Sequence, residues 1–383
     1  MKKKICILVF ANIAHDIRVQ RQVEAARPYY DVDVVAQGNW TPPEGVNYLP
    51  LPKTIFKASP MAAVLLAAGN INPAYWQSYY WRRKEYVQAL DLIKDRHYDL
   101  IHANDLDALP VAVEAGKINK ALVLFDAHEF YMEQGETRLD IEIRKPFRTN
   151  IFKHYGTQAV RMITVSQGIS ELYASRFGVQ SDVIMNAPYY VRHEFQPVDP
   201  LRINLINHGS AIRGRRIEDM IKMMTGLDER FHLNLLLKPS HRDYYERIKL
   251  KAGQIAPGRV TLLDPVPPDV ITHEISKFDI GIHMLDAKIL NHYYALPKKI
   301  FEYVMAGLCV AVTPLIEMKR MVENGRLGVV ADGHSWQDMA RSLNTLTAEK
   351  VNLHKKNSLE LAKTLNANAE MKKLMEIYEQ ILS

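Results

Sequence analysis

The sequence predicts an α/β protein built from two doubly wound units. Short β-branched runs alternate with amphipathic stretches from end to end, the pattern of parallel sheet covered by helices. The alternation stops once, from Ala187-Pro188-Tyr189-Tyr190 to Pro197-Val198-Asp199-Pro200, where prolines gather and periodicity is lost, and then restarts. A chain of 383 residues is also too long for one ordinary core and suits two.

In the first unit strands are expected at Ile5–Phe10, Asp31–Ala36, Val46–Leu49, Leu100–His102, Ala121–Phe125, Met162–Val165 and Val183–Met185. Helices are expected at Asp16–Tyr29, Ala74–Lys94, Leu106–Ala115, Pro146–Ala159 and Ser170–Phe177. After the break the expected strands are Ile203–Asn207, His232–Leu237, Val260–Leu263, Ile280–Met284, Cys309–Thr313 and Gly328–Ala331. Expected helices between them are Arg216–Thr225, Arg242–Ala252, Pro268–Lys277, Lys298–Ala306, Leu315–Glu323 and Trp336–Leu346, with Glu349–Leu365 and Ala367–Leu382 closing the chain. The domains are then 1–190 and 201–365, with the helix in 366–383 expected to pack back on the first. Ligands of doubly wound units bind at the carboxyl ends of the strands, so the loops there hold the candidates.

Composition narrows the function classes. With 48% hydrophobic and 24% charged residues the chain has ordinary globular make-up. Its two cysteines, Cys6 and Cys309, sit in apolar runs and read as reduced core thiols. Met1-Lys2-Lys3-Lys4 runs straight into a strand without a signal-type apolar core, and the longest apolar run, Met61–Ala68, is far too short to span a bilayer. A cytoplasmic protein is expected. The net charge of +6 is spread over both halves and forms no nucleic-acid arm; a small anionic ligand plus a membrane surface accounts for it, and no nucleic-acid partner is expected. The stretch Trp76-Gln77-Ser78-Tyr79-Tyr80-Trp81-Arg82-Arg83-Lys84, with Phe56 and Met61–Ala68 before it, suits an anionic membrane face. Trp76, Tyr80 and Arg83 equally make one helical stripe whose aromatics pack on the core.

The most informative segment is Ala295-Leu296-Pro297-Lys298-Lys299-Ile300-Phe301-Glu302-Tyr303-Val304-Met305-Ala306-Gly307. Proline suits a helix start, because its missing N–H would have no partner there. The first turn offers free backbone N–H groups beside two lysines, which suits a diphosphate. Glu302 follows Lys299 by three residues on the same face, where a carboxylate can accept both hydroxyls of a ribose. A solvated amphipathic helix has the same pattern, and from this segment alone both readings stand.

This segment, with the strand Leu308–Thr313, resembles the "lPnKlfEYmaaG.pvvat" stretch of the GT-B retaining glycosyltransferases, family 4. Ile101–Pro110 resembles that family's "vhahDld.lp", Phe125–Glu129 its "yDaHE", Ile163–Ser166 its "itvS" and Val183–Pro188 its "vi.N.p". Asn207–Arg216 is similar to "yqG.l..gRgle" and Phe278–Ile282 to "aDigl". The matches run in order over nearly the whole chain. The resemblance implies GT-B architecture, two Rossmann-like domains facing across a cleft. It also implies retaining transfer of a sugar from a nucleoside diphosphate sugar to a hydroxyl of a glycan or lipid-linked acceptor, in bacterial cell-surface polysaccharide or glycan synthesis.

Residue by residue, the resemblance makes Glu302 the ribose ligand of the donor. Tyr294 stands where the first Glu of the family's E-x7-E motif would be. Leu296 and Pro297 fall on the loop that approaches the diphosphate, with Lys299 just beyond. Arg215 matches the basic residue that neutralises the diphosphate, after Gly209 at a strand end. The family's other basic position is Ser210 here, and Arg213 or Lys238 is expected to substitute. In the first domain Asn12, Asp16 and Arg18 lie in a segment resembling "nDpRv", which replaces a glycine-rich loop. Asp16 equally suits a helix cap, and Arg18 is a candidate for an acceptor or phosphate contact. A lone histidine is usually structural, but His128 aligns with the family's cleft histidine. His128 and Arg215 are thus expected as catalytic residues and Glu129 as an acceptor contact. Cations and helix N-termini that stabilise the leaving diphosphate would supply the main catalytic effect. Asp105-Leu106-Asp107 has metal-motif spacing but resembles a helix start, so neither metal nor other cofactor is expected. The rival readings are a noncatalytic GT-B sugar-nucleotide-binding protein, kept open by Tyr294 and Ser210, and a sugar-nucleotide epimerase.

Overall fold

The structure, a computed structural model, describes residues 2–52, 59–135, 137–287 and 290–383. The chain divides into two compact units, Met1–Met185 with Glu370–Ser383, and Asn186–Ala369.

The first unit is a sheet of β1 (Lys4–Asn12), β2 (Asp31–Gln37), β3 (Val46–Leu51), β4 (Leu100–Asn104), β5 (Leu122–Ala127), β6 (Arg161–Thr164) and β7 (Asp182–Val183), in the order β3-β2-β1-β4-β5-β6-β7. Neighbouring strands pair in parallel throughout. The central strands are near-continuous apolar runs because helices cover both faces; Ile5 to Val9 of β1 are fully buried. One of these covers is the closing helix Ala367–Leu382, whose Leu374, Tyr378 and Leu382 pack with Ile5, Val32 and Leu100.

The second unit contains β8 (Ile203–Ser210), β9 (Phe231–Lys238), β10 (Val260–Leu263), β11 (Ile280–His283), β12 (Cys309–Val312) and β13 (Gly328–Val330), in the order β10-β9-β8-β11-β12-β13, again all parallel. The helix Lys298–Met305 lies against this sheet through Tyr303, whose hydroxyl donates to the Ile282 carbonyl at 3.1 Å. Gly281 makes room for that ring: a Cβ there would stand 2.2 Å from it.

Several elements differ from expectation for physical reasons. The strands β1, β4, β5, β8 and β9 run further at their carboxyl ends, through polar residues that the parallel ladder pairs although they break the apolar pattern. β7 ends early, because the Met185 N–H donates to the Glu370 carboxylate at 2.7 Å instead of to a strand. The helix expected from Leu106 starts at Leu109, after Asp105 adopts φ +68°. The single helix expected at Ala74–Lys94 is two, Ala74–Trp81 and Lys84–Ile93, parted where Arg83 is extended. In a continuous helix Tyr80 and Tyr86 would lie about 120° apart; the break lets them stack at 4.4 Å.

Trp76 and Tyr80 are buried, as the core-packing reading of that stripe has it, whereas Tyr79 and Trp81 are half-buried. Phe56 lies outside the described residues. Cys6 and Cys309 are buried, unpaired and in different units. Among the described residues no helix is long and apolar enough to cross a membrane.

Candidate active site

In the first unit β4 and β5 end side by side and deliver charged groups to one place. Asp126 is fully buried near the end of β5. Arg18, from the helix Ile17–Ala26, grips it with a fork of two hydrogen bonds, Nε to Oδ2 at 2.8 Å and Nη2 to Oδ1 at 2.9 Å. Gln22, one turn later, adds a third at 2.8 Å. The remaining Arg18 nitrogen donates to the Ile184 carbonyl at 2.9 Å. Arg18, the candidate acceptor or phosphate contact, is therefore buried and committed to Asp126. Asp16 caps its helix by accepting from the Val19 N–H at 3.1 Å, and Asn12 accepts from the Ala14 N–H at 3.1 Å to cap the turn Ile13–His15. Both have structural work, and Asn12 remains exposed.

His128 follows β5 and stands between two carboxylates. Its Nδ1 is 3.0 Å from Asp105 Oδ1 and its Nε2 3.4 Å from Asp126 Oδ2, with the side chain 23% exposed. Burial by itself would lower its pKa, but Asp105 and then Asp126 outweigh burial and hold it at about 10. His128 is thus an imidazolium at neutral pH. Burial would raise Asp126, but Arg18 and His128 hold it far below the usual carboxylate range. Behind lies His102, buried on β4, with Nδ1 2.6 Å from the Tyr378 hydroxyl of the closing helix. Its burial keeps it neutral, with a pKa of about 4. Charges alternate along Arg18, Asp126, His128 and Asp105, which offsets the desolvation each would suffer alone. Glu129 is half-buried and accepts from Gln134 at 2.7 Å.

In the second unit the corresponding corner is cationic. Gly209, near the end of β8, has φ +120°, and a Cβ there would meet Arg215 Nη1 at 3.0 Å and Lys299 Nζ at 3.4 Å. Two basic side chains therefore lie together over bare backbone. Burial, then Arg215, pulls the Lys299 pKa down to about 7, with Glu302 opposing only in part. Glu302 is 5% exposed; its Oε1 is 3.2 Å from Lys298 Nζ and its Oε2 3.4 Å from His208 Nε2. His208 and His283 stand close to these groups. Burial first, then Lys299 and its cationic neighbours, depresses both, His208 to about 3. Both are buried, and His208 Nε2 and His283 Nδ1 have no hydrogen-bond partner among the described residues.

The structure brings Gly209, Arg215, Lys299 and Glu302 together, with half-buried Leu296 just before their helix. Arg213 and Lys238 are exposed, and Arg215 is the cation that Lys299 feels. Sequence reasoning missed Asp105, Asp126, His102, His208 and His283. Asp126 and Asp105 stood inside quoted motifs, and His208 directly precedes Gly209, so position beside a strand end was the available signal.

No protein-family model matches the chain, and no curated protein does. Solved structures do. Anabaena HepE in complex with UDP and glucose matches with a TM-score of 0.68 at 16% identity, covering 99% of this chain and 100% of that one. The chain has the GT-B fold. Sucrose-phosphate synthase from Thermosynechococcus elongatus matches at TM-score 0.71 and 15% identity, with 99% of each chain covered. A glycosyltransferase from Rickettsia africae ESF-5 matches at 0.69 and 14%, covering 100% of this chain and 99% of that one. At such identity the likeness is one of fold; within this GT-B chain, roles rest on geometry and charge.

Proposed function

We propose that this protein is a retaining glycosyltransferase that uses a nucleoside diphosphate sugar. The observation that carries the reading is the Arg215–Lys299 pair over Gly209. Two half-buried cations pressed together disfavour each other's charge, and a diphosphate relieves both while the glycine lets it approach the backbone. Glu302, buried beside that pair, is the ribose ligand. Gly209, Arg215, Leu296, Lys299 and Glu302 form the donor site, and His208 and His283 join them. HepE, which shares the fold, is solved with UDP and with UDP-glucose, so uridine donors are the first to try.

In the reaction the acceptor oxygen bonds to the anomeric carbon as the bond from that carbon to the diphosphate oxygen breaks. Displacement occurs on one face, and the leaving phosphate takes the acceptor proton. Arg215 and Lys299 stabilise the charge that grows on the diphosphate. His128, doubly protonated, is no general base; it positions the reacting groups as a fixed cation. Mass-spectrometric assay of the purified chain against UDP-, GDP-, ADP- and dTDP-sugars tests this. Transfer or slow hydrolysis of one donor is expected, whereas binding without turnover supports a noncatalytic sugar-nucleotide binder, the reading that Tyr294 and Ser210 favour.

We also propose that the first domain docks on an anionic membrane. The helix Pro60–Ala68 and its following turn leave Met61, Val64 and Ile71 exposed, Ile71 at 88%, with exposed Arg82 and Lys84 on the same stretch of chain. Co-sedimentation with anionic vesicles at low salt should fall when Arg82 and Lys84 become Glu; no sedimentation of the unaltered chain sinks the idea.

A further inference from the structure

Beside Asp105 and Glu129 the first domain holds an open-sided cavity of about 360 Å3, within the range of small-molecule sites. Unlike chemistries line it. Asp105 and Glu129 come from the carboxyl ends of β4 and β5, while Arg144 and Arg148 come from one helical segment four residues apart. Tyr79 and Phe147 add aromatic surface, with ring centroids 5.2 Å apart and edge to face.

The arginines are not equivalent. Arg144 is committed to Asp140 at 2.8 Å, and Arg83, also in the lining, to Glu85 at 2.7 Å. Arg148 donates through Nη1 to main-chain carbonyls only, Gln134 at 2.5 Å and Tyr131 at 3.5 Å, and no carboxylate among the described residues lies within ion-pair distance. A half-buried guanidinium at a cavity wall without its own carboxylate is a ready anion ligand, and its planar fork matches phosphate. Asp105 is the opposite case. It adopts φ +68°, a costly conformation that only surrounding structure maintains, and its carboxylate accepts from the Tyr131 hydroxyl and faces His128. That partner keeps Asp105 ionised, so it can only accept hydrogen bonds, as sugar hydroxyls require.

We propose that this cavity holds the acceptor and that the acceptor is a sugar bearing a phosphate group. Asp105 and Glu129 accept from its hydroxyls, Arg148 takes its phosphate, and Tyr79 and Phe147 cover its apolar face. The proposal rests on the glycosyl-transfer reading above.

The test uses the full chain with saturating UDP, so that the donor site is filled, and titrates glucose 6-phosphate, glucose 1-phosphate, glucose and inorganic phosphate by calorimetry. A glucose phosphate should bind at least about ten-fold more tightly than glucose. Arg148→Gln should erase that preference and leave UDP affinity unchanged. Asp105→Asn should weaken the sugar phosphate but not inorganic phosphate. Vesicles with and without phosphatidic acid form a second arm: retention that needs the lipid phosphate and Arg148 assigns the group to a lipid-linked acceptor, and its absence beside glucose phosphate binding assigns a soluble one. Equal affinity for glucose and its phosphates, or a preference that survives Arg148→Gln, overturns the proposal. If Arg148→Gln does not fold, Arg148→Lys decides: weakened sugar phosphate binding is expected, and unchanged binding overturns. Failure of UDP itself to bind defeats the donor reading and leaves the glucose comparison valid.

Discussion

Raising the pH from 7.5 to 9 should weaken nucleoside diphosphate binding about 25-fold, and Lys299 is the cause. Burial and Arg215 hold its pKa at about 7, so about a quarter of the free protein carries the ammonium at pH 7.5 and about 1% at pH 9. A diphosphate against Nζ favours the charged form, so binding draws a proton from solution. If the neutral amine contributes no affinity, binding falls with the protonated fraction, a loss of ~1.9 kcal/mol across this window. The last ionisation of a phosphate lies near 6, so the ligand's own charge is nearly constant there. Titration calorimetry at pH 8 in buffers of different ionisation enthalpy should find uptake of about 0.9 proton per UDP bound. Lys299→Arg, charged throughout, should bind with flat affinity and no uptake. Tight UDP binding by the unaltered chain with no proton uptake and no pH dependence would refute the placement of Lys299 on the diphosphate.

Three more outcomes follow from the same geometry. Glu302→Ala should weaken UDP binding by about 1.5–3 kcal/mol, the value of a charged hydrogen-bond acceptor; calorimetry on the folded variant checks it, and unchanged affinity removes the ribose assignment. His128→Asn should abolish most transfer with UDP affinity intact. Its folded pKa of about 10 lies above the ordinary 6.5, so the stability it adds is full below pH 6.5 and lost as pH rises to about 10; melts of both proteins across that range should converge. Arg18→Ala leaves Asp126 buried without its fork and should cost about 3–5 kcal/mol, read by urea unfolding; a cost under about 1 kcal/mol would mean the network holds without it.

Part of the cationic corner of the second unit was legible. Lys299 and Glu302 sit within one helical turn of each other just after Pro297 at the helix start, and spacing along a helix is a local property. The break between Ala74–Trp81 and Lys84–Ile93 was not, because every residue there is a tolerable helix former and the stacking of Tyr80 on Tyr86 that accompanies the break is a tertiary contact. The two readings of Trp76 and Tyr80 stayed open for a related reason: the residues read alike on a surface or in a core, and only the tertiary structure puts them inside.

The sequence by itself determined the two α/β units, their order of elements and the strand ends at which chemistry gathers, because hydrophobic periodicity and turn residues act over a few positions. Which charges meet was decided only in the tertiary structure. Arg18 and Asp126 are 108 residues apart in the chain, and Tyr378 reaches His102 across 276. His128 is an imidazolium and Lys299 half-deprotonated near pH 7 because of what stands beside each in a shielded place. Charge state follows distance and burial in space, and neither is written in any local pattern.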